Sequence, residues 1–109
     1  MKIPGFNRAS VEKNKVAGYL LSVAHPIGKH KARFFQQFGF SLERVELLKE
    51  ALEKHATYDF IKAEKTDFGV RYIIDAPLES PDGRNPEVRS VWFVEKGDKA
   101  PRFVTAYPV

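Results

Sequence analysis

Hydrophobic residues in the first half of the chain repeat at the three- to four-residue spacing of amphipathic helices. Three helices are predicted, over residues 11–22, 29–38 and 41–55. His25-Pro26-Ile27-Gly28 separates the first two, because the proline restricts the residue before it and the glycine loosens the backbone. Ser10 and Ser41 stand where N-caps belong, and Gly39 stands where a left-handed C-cap belongs.

After Thr57 the pattern changes to period two, with β-branched and aromatic residues between turn signals. The predicted strands cover residues 58–65, 70–78, 88–96 and 102–107. The first and last connections are short and contain glycine, which favours antiparallel hairpins, whereas the connection over residues 79–87 is a candidate functional loop. We therefore expect a single α+β domain over residues 1–109, helical at 10–56 and sheet at 58–108. In it, three N-terminal helices pack on one face of a four-stranded antiparallel sheet.

The other face of this sheet is predicted to be open to solvent. On the fourth strand, simple alternation places Phe103, Thr105 and Tyr107 on one side. If Arg71 and Arg89 share that exposed side with Thr105 and Tyr107, the surface is cationic and aromatic and can hold phosphates and stack bases. The alternative is an ordinary solvated sheet face.

The amino-acid composition excludes several classes of protein and of site. The chain has 109 residues, 43% of them hydrophobic, which is ordinary for a globular domain and argues against disorder. No apolar run approaches the roughly 20 residues of a membrane-spanning helix, and residues 1–5 do not lead into a secretory signal. We therefore expect no membrane association and a cytoplasmic location, with export without a signal of its own as the alternative. Because the sequence contains no cysteine, disulfides, thiolate nucleophiles and cysteine-ligated zinc are excluded.

Positive charge is concentrated at the N-terminal end. Residues 1–40 contain seven basic residues against the single acid Glu12, while the whole chain has a net charge of +4. The remainder is therefore slightly negative. This asymmetry indicates an acidic partner, either nucleic acid, an acidic protein or an anionic surface, and a solvated helical face explains it equally well.

The segment from His25 to Arg33 has the densest set of groups suited to chemistry. Lys29 and Lys31 lie where a predicted helix begins, and helix N-termini attract anions, so a phosphate site is predicted; the alternative is an exposed basic turn. His25 and His30 are candidate general acids or bases near neutral pH. The three histidines lack the spacing of a zinc site, so we predict neither a metal nor any other cofactor, and His55 fits a helix-end or core-edge role.

Several segments spread along nearly the whole chain carry a family resemblance. They are Tyr19-Leu20-Leu21, residues 25–35 (His25 to Phe35), Phe38-Gly39-Phe40, Phe68-Gly69-Val70-Arg71-Tyr72, Pro81-Asp82-Gly83-Arg84, Val91-Trp92 and Val104-Thr105-Ala106-Tyr107-Pro108. In this order they resemble a family of small bacterial domains of unknown function, which occur alone and at the ends of larger proteins. The layout is similar to the toxin superfamily of barnase, EndoU, colicin-type tRNases and RelE.

That resemblance implies a metal-independent ribonuclease of toxin type, in which the 2′-hydroxyl of RNA attacks the adjacent phosphate and leaves a cyclic phosphate. It implies His25 as the base or acid, Lys31 and Arg71 as charge stabilisers, and Thr105 with Tyr107 facing the scissile phosphate. Further residues are expected to bind substrate, and they are Lys15, Lys29, His30, Arg84 and Arg89. The implied partners are RNA, with tRNA as one candidate, and a small acidic antitoxin or immunity protein.

Two other functions fit the same sequence. One is a non-catalytic module that binds nucleic acid or an acidic protein through the basic surface. The other is an interaction domain of a larger bacterial system, which would bind protein tightly and be indifferent to RNA.

Overall fold

The second half of the chain forms a four-stranded antiparallel sheet. The computed structural model describes residues 1–21 and 29–109, without the side chains of residues 29 and 30. The strands are β1 (Lys62–Thr66), β2 (Gly69–Pro77), β3 (Glu87–Glu95) and β4 (Arg102–Pro108). They lie in sequence order and each pairs antiparallel with the next, as predicted.

The predicted start of the first strand at residue 58 is wrong, because the residues before β1 use their backbone groups elsewhere. The Tyr58 amide donates to the His55 carbonyl at 3.2 Å, which prolongs the end of the preceding helix. The Phe60 amide donates to the Met1 carbonyl at 3.1 Å, and Asp59 forms an ion pair with the N-terminal ammonium. Residues 58–60 therefore connect the helical half to the N-terminus before pairing with β2 begins.

Three helices accompany the sheet within the described residues, so the α+β class is confirmed. Helix α1 (Lys13–Lys15) continues as a π-helical turn (Val16–Leu20), and it is followed by α2 (Lys29–Gln37) and α3 (Val45–His55); short 3₁₀ turns cover Phe6–Arg8 and Leu42–Arg44. None of the helices in the described part of the chain has the length and apolar character needed to cross a bilayer.

The helix boundaries differ from the prediction for identifiable reasons. Ser10 is not the N-cap of α1, because its backbone pairs with β4: the Phe103 amide donates to the Ser10 carbonyl at 3.2 Å. Glu12 takes the N-cap position instead. Ser41 precedes a 3₁₀ turn without a side-chain cap, whereas Gly39 has the predicted left-handed conformation, with φ of +99°.

One buried cluster joins the helices to the sheet. It includes Leu20, Phe35 and Leu52 from the helical half and Ile74 and Trp92 from the strands. Helix α3 contacts β2, α2 contacts β4 at the sheet edge, and the π turn contacts α2 and α3. Packing of all three helices against a single sheet face stays a prediction.

A bulge in β4 decides which residues reach each face of the sheet. Trp92 pairs with Phe103, whereas the preceding Val91 pairs with Thr105, so Val104 is an extra residue between them. Phe103 consequently faces the core at 6% exposure, while Thr105 and Tyr107 face the other side, here called the outer face. The prediction that Phe103 shares a face with Thr105 and Tyr107 is therefore wrong, since the bulge inverts the alternation.

Candidate active site on the outer face

Lys31 lies at the centre of a polar cluster at the β4 edge. Its Nζ donates a hydrogen bond to Tyr19 Oη at 2.5 Å and another to Thr105 Oγ1 at 3.0 Å. The same ammonium is 4.7 Å from the centroid of the Tyr19 ring and 5.6 Å from that of Tyr107, within the range of cation–π attraction. We call Tyr19, Lys31, Arg89, Thr105 and Tyr107 the outer cluster.

Two irregularities of the backbone bring this cluster together. Tyr19 belongs to the π-helical turn that extends α1, and such turns often occur at functional sites. Thr105 and Tyr107 reach the outer face only because of the β4 bulge, and bulges likewise re-aim side chains beside active sites. Lys31 comes from the first turn of α2 and connects the two.

Arg89 continues the cluster across the sheet. It pairs with Tyr107 on β4 and with Asp75 on β2, and its guanidinium binds the Asp75 carboxylate through two hydrogen bonds of 2.7 and 2.8 Å. Hydrogen bonds with Asp75 and then Tyr107 raise the pKa of Arg89, and the Arg89 hydrogen bond lowers the pKa of Asp75. Both groups therefore stay charged, and Asp75 fixes the direction of the guanidinium.

Tyr19 is electrostatically altered by its neighbours. Burial raises the pKa of its phenol, but hydrogen bonds with Lys31 and Thr105 and the positive charges of Lys31 and Lys15 together lower the pKa below its ordinary value. The phenol therefore gives up its proton more readily than an ordinary tyrosine.

Lys15 lies beside the bulge and borders a groove. Its Nζ donates to the Val104 carbonyl at 2.8 Å, which places a cation next to Thr105 along β4. The groove has a volume of about 320 Å³, and Lys15, Arg102, Glu12, Phe93 and Phe103 are among the residues that line it. It thus combines cationic and aromatic side chains next to the outer cluster.

Arg71 and Arg84, both proposed from the sequence, lie away from Lys31. Arg71 is on the outer face but is paired with Glu64 at 3.6 Å, and ideal strand spacing puts its Cα roughly 12 Å from that of Thr105. Arg84 lies at the far end of α2, where its Nη2 donates to the Gln37 carbonyl at 2.5 Å and its guanidinium stacks on Phe38. Arg84 thus holds the loop of residues 79–86 against the helix C-terminus.

The structure brings together four of the residues singled out from the sequence, which are Lys31, Arg89, Thr105 and Tyr107, with Lys15 alongside. His25 lies outside the described residues, as do the side chains of Lys29 and His30. In residues 1–21 and 29–109, no group of three His, Cys, Asp or Glu side chains could hold a metal ion.

Tyr19 is the site residue that sequence reasoning missed. The helical pattern assigns it to the apolar side of the first helix together with Val16 and Leu20, which are both fully buried. Its hydroxyl, in an otherwise apolar stripe, was the available signal, but only the π turn reveals that Tyr19 meets Lys31.

The third histidine belongs to a separate, closed group on the opposite face. His55 Nε2 donates to the Ala76 carbonyl at 2.9 Å, while Nδ1 lies 2.6 Å from Ser90 Oγ, which also accepts a hydrogen bond from Trp92 Nε1 at 2.8 Å. Burial lowers the pKa of His55. We call His55, Ser90 and Trp92 the inner cluster, and its completed hydrogen bonds mark a structural role.

Comparisons with known proteins place this geometry in context. A family model described as "Domain of unknown function (DUF6883)" matches residues 2–109, which confirms the resemblance to a domain family of unknown function. Among solved structures, the chain is similar to a chain of a contact-dependent growth inhibition toxin–immunity protein complex from Klebsiella pneumoniae 342. The TM-score is 0.73 at 16% identity, and the match covers 97% of each chain, so the two share a fold. No curated protein matches by sequence.

Proposed function

We propose that this chain, which belongs to the DUF6883 family, is a toxin domain that cleaves RNA without a metal ion. The observation that carries the proposal is the environment of Lys31. In the described part of the chain, its half-buried ammonium donates hydrogen bonds to two neutral hydroxyls, those of Tyr19 and Thr105, and not to a carboxylate. A positive charge held in this way is suited to binding an anion such as a phosphate.

The outer cluster supplies groups that phosphodiester cleavage requires. Attack of a 2′-hydroxyl on the adjacent phosphate needs a base, a cation to stabilise the phosphorane and an acid for the leaving oxygen. Lys31 is the stabilising cation, and Thr105 with Tyr107 faces the scissile phosphate. His25 keeps the role of base; it precedes α2, whose first turn carries Lys31.

The groove beside Lys15 supports RNA as the substrate class. Successive phosphates would contact Lys15 and Arg102, and a base would stack on Phe93, as in other grooves for single-stranded nucleic acid. Arg89 lies on the opposite side of Lys31 from this groove, where it can hold the next phosphate while Asp75 orients it. The proposed substrate path therefore runs along β4.

We further propose that a small acidic protein neutralises this domain. A solved structure that shares this fold is a toxin–immunity protein complex, and the N-terminal third of the present chain carries the positive charge that an acidic inhibitor would cover. Such an inhibitor would be encoded next to this chain and would restore growth to cells that express it. This assignment agrees with cytoplasmic action on RNA.

The direct test is incubation of the purified chain with total tRNA in excess EDTA. We expect cleavage fragments with a 2′,3′-cyclic phosphate at the 3′ end, which acid hydrolysis converts to a mixture of 2′- and 3′-phosphates. Intact RNA together with salt-sensitive binding would instead support the non-catalytic module and overturn the ribonuclease proposal.

A matched pair of variants separates the site from general basicity. Lys31→Gln removes the central ammonium and should reduce cleavage at least 100-fold, whereas Lys65→Gln removes one exposed charge on β1 and should leave the rate within about twofold. Equal losses in the two variants would contradict a site at Lys31. Circular dichroism checks that both variants remain folded.

A further inference from the structure

We propose that Tyr19 is the general acid that protonates the leaving 5′-oxygen in the cleavage reaction. This inference rests on the ribonuclease function proposed above and assigns one of its proton transfers. The sequence pattern does not give Tyr19 this role, since it places Tyr19 on the apolar side of the predicted first helix. The place of Tyr19 in the outer cluster is what points to the role.

The geometry at the phenolic oxygen favours an acid that becomes an anion. Lys31 carries only donors, so at 2.5 Å it donates to Tyr19 Oη, and Thr105 lies 3.0 Å from the same ammonium. When Tyr19 releases its proton, the resulting tyrosinate is already in contact with a positive charge. The ammonium therefore stabilises the product of the proton transfer without moving.

The charges around Tyr19 favour release of its proton. In the described residues, its oxygen faces the ammoniums of Lys31 and Lys15, with Arg89 beyond Tyr107 on the same face. Burial raises the pKa of Tyr19, but the hydrogen bonds with Lys31 and Thr105 and the charges of Lys31 and Lys15 together lower it below its ordinary value. The phenol therefore releases its proton more easily than free tyrosine does, which is what a general acid requires.

The proposed step balances as follows. A general base takes the proton of the 2′-hydroxyl, and the 2′-oxygen forms a bond to phosphorus. The bond from phosphorus to the 5′-oxygen breaks with its electron pair on oxygen, and that oxygen takes the phenolic proton of Tyr19. The products are a 2′,3′-cyclic phosphate, a 5′-hydroxyl, the protonated base and a tyrosinate, and transfer of one proton from the base to the tyrosinate through water restores the enzyme.

The position of Tyr19 on a π turn supports the assignment independently of its electrostatics. In an α-helix the backbone amides bond four residues back, whereas here the Leu21 amide donates to the Val16 carbonyl five residues back at 2.8 Å. The wider turn holds Tyr19 beside Lys31 and Thr105 while Val16 and Leu20 remain fully buried. The helix is thus irregular at the residue that meets the cation.

The decisive experiment varies the leaving group. A general acid matters for a 5′-alkoxide but not for 4-nitrophenolate, which departs without a proton. We therefore compare Tyr19→Phe with the wild-type chain on an RNA oligonucleotide and on the 4-nitrophenyl esters of the four nucleoside 3′-phosphates. We expect kcat/KM for RNA to fall about 100- to 1000-fold and kcat/KM for the cleaved ester to stay within about threefold.

Tyr58→Phe is the matched control, because Tyr58 is partly exposed near the end of α3 and should leave both rates unchanged. A wild-type chain that cleaves neither substrate would overturn the ribonuclease function and this inference with it. A wild-type chain that cleaves both, combined with a Tyr19→Phe variant that loses neither rate or both equally, would overturn only the assignment of Tyr19.

A measurement on the wild-type chain keeps the test valid even if Tyr19→Phe fails to fold. With Tyr19 as the acid, kcat/KM for RNA decreases at alkaline pH as the phenol loses its proton, while the rate with the nitrophenyl ester shows no such decrease. An alkaline decrease of the same midpoint for both substrates would contradict the proposal.

Discussion

Two polar clusters lie on opposite faces of strands β3 and β4, and each contains a hydroxyl residue. Ser90 of the inner cluster is 0% exposed and His55 is 1% exposed. Thr105 of the outer cluster is half-buried, as are Lys31 and Tyr107. The neighbouring residues Ser90 and Val91 point to opposite faces, so only the thickness of the sheet separates the two environments.

The clusters differ in charge, because the inner cluster contains neutral groups that bond to one another, whereas the outer cluster contains a positively charged ammonium. In the inner cluster, Trp92 donates to Ser90, Ser90 donates to His55 and His55 donates to a carbonyl, and no buried side-chain polar atom of the described residues lacks a partner. In the outer cluster, a charged ammonium is surrounded by hydroxyls and aromatic rings. The comparison teaches that a closed neutral network suits a structural role, whereas an ammonium that in the described residues bonds to hydroxyls and not to a carboxylate suits the binding role proposed above.

The largest expected effect follows from Ser90→Ala. It leaves the Trp92 indole N–H and His55 Nδ1 buried without their shared partner, and each unpaired buried group costs about 1–3 kcal/mol. We expect the free energy of unfolding to fall by about 3 kcal/mol, measured by urea denaturation, while RNA cleavage per folded molecule at low temperature is unchanged. A stability within about 0.5 kcal/mol of wild type would show that the inner cluster is not structural.

The matching change in the outer cluster is Thr105→Val, which keeps the shape of the side chain but removes Oγ1. Lys31 loses one hydrogen-bond acceptor, and Tyr19 loses a neighbour that lowers its pKa. We expect kcat/KM for RNA to fall about tenfold with the free energy of unfolding within about 0.5 kcal/mol of wild type. Unaltered cleavage together with lowered stability would reverse the assignment of the two clusters.

The regular parts of both faces of the sheet could be predicted from the sequence. Glycine in the short first and last connections predicts antiparallel pairing, and the structure confirms it. Period-two alternation also allows Arg71 and Arg89 to share one face of the sheet, and both lie on the outer face with Thr105 and Tyr107. These features depend on local preference and on burial of one face, which a single sequence displays.

The features that build the outer cluster could not be predicted, because each is a local irregularity fixed by tertiary contacts. The extra residue at Val104 is stabilised where Lys15 binds its carbonyl, a contact between residues 89 positions apart. The π turn that aims Tyr19 depends on packing of Val16 and Leu20 in the core. The family resemblance nevertheless implies Lys31 and Thr105 as site residues, and the structure brings Lys31 Nζ within 3.0 Å of Thr105 Oγ1.

The salt dependence of RNA affinity gives a smaller effect. It distinguishes Arg89 from Arg84, which are both expected in the sequence analysis to bind substrate. Arg89 lies in the outer cluster, whereas Arg84 binds the Gln37 carbonyl and Asp82 at the far end of α2. Arg89→Gln should reduce the slope of log affinity for RNA against log salt by about one, and Arg84→Gln should leave it unchanged while lowering the melting temperature. These binding measurements use a non-cleavable 2′-O-methyl RNA, and equal slopes for the two variants would place the RNA elsewhere.

The smallest effect is a loss of stability at acidic pH. It is small because no side chain of the inner cluster is removed and only the protonation of His55 changes. Burial lowers the pKa of folded His55 below the value of about 6.5 that it has in the unfolded chain. As the pH falls below about 6.5, the unfolded chain takes up a proton that folded His55 resists, so the free energy of unfolding decreases; above that pH the contribution is complete. The carboxylates with lowered pKa, such as Asp82 at about 2, take up protons only at more acidic pH, so the change between pH 7 and pH 5 is assigned to histidine.

We expect the melting temperature to decline by a few degrees between pH 7 and pH 5 in the wild-type chain and in a His25→Gln/His30→Gln variant, but not in His55→Gln. Persistence of the decline in His55→Gln would mean that the inner cluster does not hold a neutral imidazole.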